Sequence, residues 1–432
     1  MKRYQSWRWL LPGMRVKRYA LIASLGILLL ILGTLQLTLE APIARRLIHD
    51  LSVIALAHLP PWLSGLIWML FGLGLFIWGL RSMNRSMLSA LTDPDTVVAQ
   101  VYLRRRLEAG PRIVALGGGT GLSRVLKGLR EETANLTAIV AVTDDGGSTG
   151  RLRHSFGIPA VGDLVDCLAA LSEAPGFPDL MSYRFQRGGE LAGHTFGNLM
   201  LVSLYELHGN FAEALRQANQ MLRLRGAVWP ATAEPAHLWG LRSDGTRVEG
   251  ETAMRQAPGY LRQVGLIEGQ EAVMPEVLQA VAQAQLIVLG PGSLFSSVIP
   301  SFLPTALRRA LQRSPAQLCY IVNLMTEPGE TEGLDAYGHY KAIVTHLGRR
   351  PEAIVVNTQS IPPAVLQRYA QAGQLPVPFD PRPFLADGVK VIQGEFLEEG
   401  TYAQHDPEKL VRALMRLIQS PLERASTLLK QG

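Results

Sequence analysis

Two glycine-rich turns, each directly behind a short apolar run, constrain the fold of this chain more than any other feature. The first is Gly117-Gly118-Gly119-Thr120-Gly121-Leu122, after Ile113–Leu116. The second is Asp144-Asp145-Gly146-Gly147-Ser148-Thr149-Gly150, after Ala138–Val142. A short aliphatic run that ends in glycines reads as a buried strand opening into a loop. Glycines there let backbone N–H groups approach a ligand, and the next helix presents its positive end to an anion. The first turn therefore suits phosphate. The second brings two carboxylates to the same sheet edge, where a metal, a sugar hydroxyl or a reacting group meets them.

From Arg112 onward, strand-like runs alternate with helical patterns. The strand candidates are Ile113–Leu116, Ala138–Val142, Leu286–Leu289, Leu318–Val322 and Ile354–Val356. Helical candidates include Leu122–Glu132, Asp163–Leu171, Phe211–Leu222, Pro275–Ala284, Pro304–Gln312, Ala336–Leu347, Pro363–Gln371 and Pro407–Gln419. Continuous apolar strands separated by helices imply an α/β fold with a mostly parallel sheet covered on both faces. Ligands in such folds bind beyond the carboxyl ends of the strands, where the glycine turns fall. Arg225–Glu251 breaks the alternation. Arg242-Ser243-Asp244-Gly245-Thr246 reads as a hairpin turn between His237–Leu241 and Arg247–Glu249, a small antiparallel insertion.

The N-terminal part has another character. Ala20–Leu39 and Trp62–Leu80 carry no charge, and each is long enough to cross a hydrocarbon core roughly 30 Å thick. Lys2, Arg3, Arg8, Arg15, Lys17 and Arg18 precede the first run, and Arg81 and Arg85 follow the second. The charges between them cancel, so the positive-inside rule places both termini and the globular part in the cytoplasm of a two-span membrane protein. A cleaved signal peptide fits less well, because the first apolar run is too long and a second follows. Ile43–Leu59 reads as a short amphipathic helix on the outer interface. The expected domains are a membrane hairpin over residues 1–81, linker helices over 82–111 and an α/β domain over 112–432.

Of 432 residues only Cys167 and Cys319 are cysteines, which excludes a disulfide framework and a zinc-cysteine pattern. The net charge of +6 does not point to nucleic acid. Residues 1–112 hold 14 Lys/Arg against 5 Asp/Glu, a net +9, and the remainder 28 against 31, a net −3. The basic excess thus belongs to the membrane flanks, and no nucleic-acid partner is expected.

The first turn matches neither of the familiar phosphate loops. A dinucleotide fingerprint has a third glycine where Leu122 stands, so no NAD is expected, and no Gly-Lys-Ser/Thr triplet marks a P-loop. The expected ligand contacts are Gly117, Gly118, Gly119, Thr120 and Gly121, then Asp144 and Asp145, which repel unless a cation, a hydroxyl network or an arginine offsets them. Asp163 opens a helix as an N-cap or a ligand. His194 and Asn198 sit in the glycine-flanked turn Gly193–Asn198. Gly290, Gly292 and Ser293 form a third phosphate-compatible turn, and Asn323 and Thr326 follow the strand Leu318–Val322.

These motifs, in this order, resemble the gluconeogenesis factor family of the 2-phospho-L-lactate transferase-like superfamily. The segments are Val114–Leu122, Asp144–Arg153, Gly162-Asp163, Gly193–Asn198, Gly290–Ser297 and Asn323–Glu332. The resemblance covers Arg112 to the C-terminus. It implies a Rossmann-like domain that binds a UDP-sugar such as UDP-N-acetylglucosamine and supports cell shape and cell-wall synthesis. The Gly117–Gly121 turn would hold the diphosphate, and Asp144 and Asp145 would line the pocket. The transferase branch implies the alternative, a phosphotransferase in which Asp144, Asp145 and Asp163 position magnesium and an acceptor. Val165 and Asp166 stand where the gluconeogenesis branch usually has Arg-Asn, and the N-terminal hairpin is absent from its usual soluble member. A second copy of the chain and cell-envelope proteins are further candidate partners.

Overall fold

The computed structural model describes residues 16–38, 60–88, 94–256, 259–267 and 271–418. The segment Ile43–Leu59 lies outside the described residues. The chain divides into two compact units, residues 1–105 and 106–432.

The first unit contains two long apolar helices, α1 (Val16–Thr38) and α2 (Pro61–Leu88). Arg18–Leu37 and Trp62–Met83 are long and apolar enough to cross a membrane. Large apolar side chains such as Leu21, Leu28, Leu70 and Phe71 point outward. Such an all-round apolar surface is stable only in apolar surroundings. The two helices meet backbone to backbone. Gly26 and Gly33 on α1 and Gly65, Gly72 and Gly79 on α2 recur every seventh residue. A Cβ on Gly33 would sit 2.7 Å from the Gly65 carbonyl oxygen, and one on Gly72 would sit 2.7 Å from that of Gly26. Small residues of this kind let helices pack closely where hydrophobic burial drives no association. The Gln36 amide donates to the Ser64 hydroxyl across the pair.

In the second unit, seven parallel strands form one sheet in the order β10-β9-β8-β7-β1-β2-β3. They are β1 (Ile113–Gly117), β2 (Leu136–Val140), β3 (Ala227–Pro230), β7 (Leu286–Leu289), β8 (Gln317–Ile321), β9 (Ala353–Asn357) and β10 (Lys390–Gly394). Three more, β4 (Leu238–Arg242), β5 (Arg247–Glu249) and β6 (Leu261–Leu266), make an antiparallel sheet in the order β5-β4-β6. Every residue of β1 and β7 is buried, which explains their unbroken apolar runs. Ile113 pairs in register with Leu136 on one side and Leu286 on the other.

The five expected strands are present to within two residues at each end. The two that the apolar pattern does not reveal, β3 and β10, are the sheet edges. β10 is half exposed along its length, and β3 ends in Pro230, whose missing N–H an edge tolerates. β6 adds a third strand to the expected hairpin. The segment read as a loop from Gly146 folds into a helix, Gly147–Phe156, despite its glycines. Buried Leu152 and Arg153 hold it down, and a Cβ on Gly150 would collide with the Asp145 carbonyl.

Gly72→Leu is expected to force α1 and α2 apart. In detergent, fluorescence energy transfer between dyes at the two helix ends will fall, while Leu70→Ala on the outward face leaves it unchanged.

Candidate functional site

Chain order reverses direction at β1. The strands β1, β2 and β3 run one way across the sheet, and β7 to β10 run the other. A crevice opens at such a switch point because the loops after neighbouring strands leave for opposite faces. Here the loops after β1, β2, β7 and β8 line one cavity of about 500 Å³, within the ordinary size range of small-molecule sites.

The glycines are needed for contact between these loops. A Cβ on Gly121 would lie 2.8 Å from the Pro291 carbonyl oxygen. On Gly118 it would strike the Asp163 carboxylate. Gly119 has φ +65°, left-handed backbone that favours glycine. The helix Gly119–Leu129 that follows has no side-chain cap at its start. Its first N–H groups have no partner within the helix, and its positive end faces the cavity.

Acidic side chains stand close by. Burial pushes the Asp163 carboxyl up to about 7, with Asp166 and Asp144 adding to the effect and the Gly119 N–H opposing it. Burial raises Glu251 to about 8 against the pull of Arg255. Burial and then Glu330 raise Glu327 to about 7, and Glu327 accepts a hydrogen bond from Ser293 Oγ at 2.8 Å. Asp144 is also raised, mainly by burial, although Gly146 N–H donates to it at 2.8 Å. Arg255 ties this group together, with Nη2 3.0 Å from Glu251 and Nε 3.2 Å from Glu330. Arg124 and His405 form another group. Arg124 pairs with Glu398, and burial keeps His405 neutral, its value lowered to about 4. Six atoms on residues lining the cavity are buried and make no hydrogen bond within the protein: Arg124 Nε, Thr143 Oγ1, Ser296 Oγ, Asn323 Oδ1, Glu327 Oε2 and His405 Nε2.

The structure brings Gly118, Gly119, Thr120, Gly121, Asp144, Asp163, Gly292, Ser293 and Asn323 to this cavity. Gly117 ends β1 and Gly290 directly follows β7, and neither is among its lining residues. Asp145 is turned to another task. Its Oδ1 accepts from Thr252 N at 2.9 Å and from Thr252 Oγ1 at 2.6 Å. It therefore pins the start of the helix Glu251–Gln256. His194 and Asn198 surround Ser148, with His194 Nδ1 2.8 Å and Asn198 Nδ2 3.3 Å from its hydroxyl. Thr326 exchanges hydrogen bonds with the Leu375 backbone. Arg124, Glu251, Arg255, Gln404 and His405 line the cavity without standing in any sequence motif. Glu327 stood in the run after β8, although nothing marked it beyond its neighbours.

Among the described residues, no group of three His, Cys, Asp or Glu side chains could hold a metal ion.

The site is thus the switch-point crevice of a parallel α/β protein. Residues 113–397 match the family of 2-phospho-L-lactate transferase CofD. A relative from Deinococcus radiodurans is 40% identical over 425 residues, covering 97% of this chain and 91% of that protein. The gluconeogenesis factor of Bacillus subtilis is 37% identical over 311 residues, 71% of this chain and 98% of its own. A crystal structure of a Bacillus halodurans protein superposes with a TM-score of 0.69 at 38% identity, over 71% of this chain and 99% of that one. The chain belongs to the CofD family, among its gluconeogenesis factors.

Two outcomes follow from this geometry. Asp163, Glu251 and Glu327 each hold a proton more tightly in the folded chain than the ordinary carboxylate range allows. Their stabilisation is complete below about pH 4 and is lost as pH rises through about 7 to 8. Between pH 5.5 and 8.5 the melting temperature of the ligand-free chain will fall, and Asp163→Asn will flatten the slope; a steady rise in wild type would contradict the assignment. Asp145→Ala will lower the melting temperature by removing about 1–3 kcal/mol of charge-assisted hydrogen bonding to Thr252.

Proposed function

We propose that the chain binds a nucleotide-sugar of the UDP-sugar type in this cavity and acts as a membrane-anchored regulator of cell shape and cell-wall synthesis. The observation that carries the reading is the convergence of the Gly118–Gly121 and Pro291–Ser293 turns on one cavity, with buried polar atoms left without protein partners. Backbone amides at a helix start and hydroxyls at a glycine turn are the groups that take a diphosphate. The names of the relatives agree with a regulatory role in gluconeogenic growth. The apolar helices α1 and α2 supply the anchor, and the flanking charges favour a cytoplasmic site. Cell-envelope proteins are the proposed partners there.

The second reading is a phosphotransferase, favoured by the buried, proton-holding Asp163 beside the first glycine turn. In that case magnesium would enter on the ligand's phosphates, since Mg²⁺ commonly needs only one or two carboxylates with waters and phosphate oxygens.

The detergent-solubilised full chain is expected to bind UDP-N-acetylglucosamine saturably and to return it intact, as judged by calorimetry and chromatography. Release of UMP or GMP from an activated donor would select the transferase reading. Absence of binding with and without Mg²⁺ would remove the first.

A further inference from the structure

The polar groups lining the cavity are unlike in what they can bind. The glycine turns offer backbone N–H groups, which suit phosphate. The wall formed by Thr143, Asp144 and Glu251 does not. Arg255 is already shared between Glu251 and Glu330, and Arg153 behind the wall donates to the carbonyls of Thr143, Asp144 and Ala236, so the side chains of Thr143, Asp144 and Glu251 present oxygens to the cavity. A phosphate placed there would face carboxyl oxygens, with both arginines already engaged. A neutral group rich in hydroxyls would find acceptors instead. Thr143 supports this. It is 3% exposed, lines the cavity, and its Oγ1 makes no hydrogen bond within the protein. Its neighbour Asp144 turns one oxygen to Gly146 N–H.

The origin of this wall also explains the adjacent aspartates. Glu251 opens the helix directly behind β5, the second strand of the antiparallel insertion. That helix is held against the loop after β2 through Asp145 and Thr252. Asp144 lines the cavity while Asp145 fixes the element that delivers Glu251.

Resting on the nucleotide-sugar reading, we propose that Thr143, Asp144 and Glu251 bind the hydroxyl groups of the ligand's sugar, and that the antiparallel insertion is the element that sets sugar specificity. A second cavity of about 320 Å³, lined without charged residues and sharing Asn323 and Leu324 with the first, is the competing place for that sugar.

The test compares UDP with UDP-N-acetylglucosamine on the full chain in detergent. Wild type is expected to prefer the sugar-bearing ligand by about tenfold or more, the scale of one hydrogen bond to a charged group. Glu251→Gln and Thr143→Val should each narrow that preference. Affinity for UDP alone should be unchanged in Thr143→Val, and unchanged or tighter in Glu251→Gln, which releases Arg255. Each variant is used only if its melting temperature shows that it folds, and either one suffices. Equal weakening of both ligands, or an undiminished preference, would overturn the proposal and leave nucleotide-sugar binding standing. A preference lost instead in Asn357→Ala would move the sugar to the second cavity and likewise overturn it. Failure of wild type to bind either ligand would overturn the proposed function and this inference together.

Discussion

The site depends on close contact between two glycine turns that leave neighbouring parallel strands. Gly121 approaches the Pro291 carbonyl, and Gly292 approaches that of Gly118, at distances where a Cβ would have to displace backbone. Because β1 and β7 are adjacent and in register, their carboxyl ends arrive together. Their connections then depart in opposite directions, which opens the crevice. Side chains on those turns would push the loops apart and fill the space between them. The loss of side chains here is therefore what creates room for a ligand.

Around that contact the protein places charge at a cost. Four carboxyl groups, Asp144, Asp163, Glu251 and Glu327, line the cavity together with Arg255. Buried carboxylates are unfavourable unless paired or protonated, and three of these are raised into or above the neutral range. Arrangements of this kind cluster at functional sites, because a fold has little other reason to maintain them. Arg153 performs a related service beneath the loop after β2. Its guanidinium is buried and donates to the carbonyls of Thr143, Asp144 and Ala236. It thereby joins that loop to the insertion.

The antiparallel insertion is more than an ornament on the sheet. It carries Glu251 and Arg255 into a cavity otherwise made by the parallel strands. Arg255 then reaches Glu330 in the loop after β8. Two stretches of chain far apart in sequence thus share one ion-pair group. A change in the insertion would alter what the cavity accepts without disturbing the glycine turns, and related proteins could vary ligand preference by that route.

What the sequence determined by itself was local and periodic. Uncharged runs of about twenty residues marked the two long helices, continuous apolar runs marked the inner strands, and glycines behind them marked the loops that line the cavity. The edge strands β3 and β10 were not legible: β10 is half exposed and carries Lys390 and Gln393 in its run, and β3 is only four residues long and ends in Pro230. Tertiary structure decided the division of labour among polar residues. Asp144 and Asp145 are chemically alike and adjacent, and only the arrival of Thr252, more than one hundred residues later, makes one a helix anchor and leaves the other facing the cavity. Glu251, Arg255, Arg124 and His405 gave no local signal, since a charged residue on a helix or loop looks the same in sequence whether it faces solvent or a buried crevice. Their role is set by long-range packing, which one-dimensional periodicity does not encode.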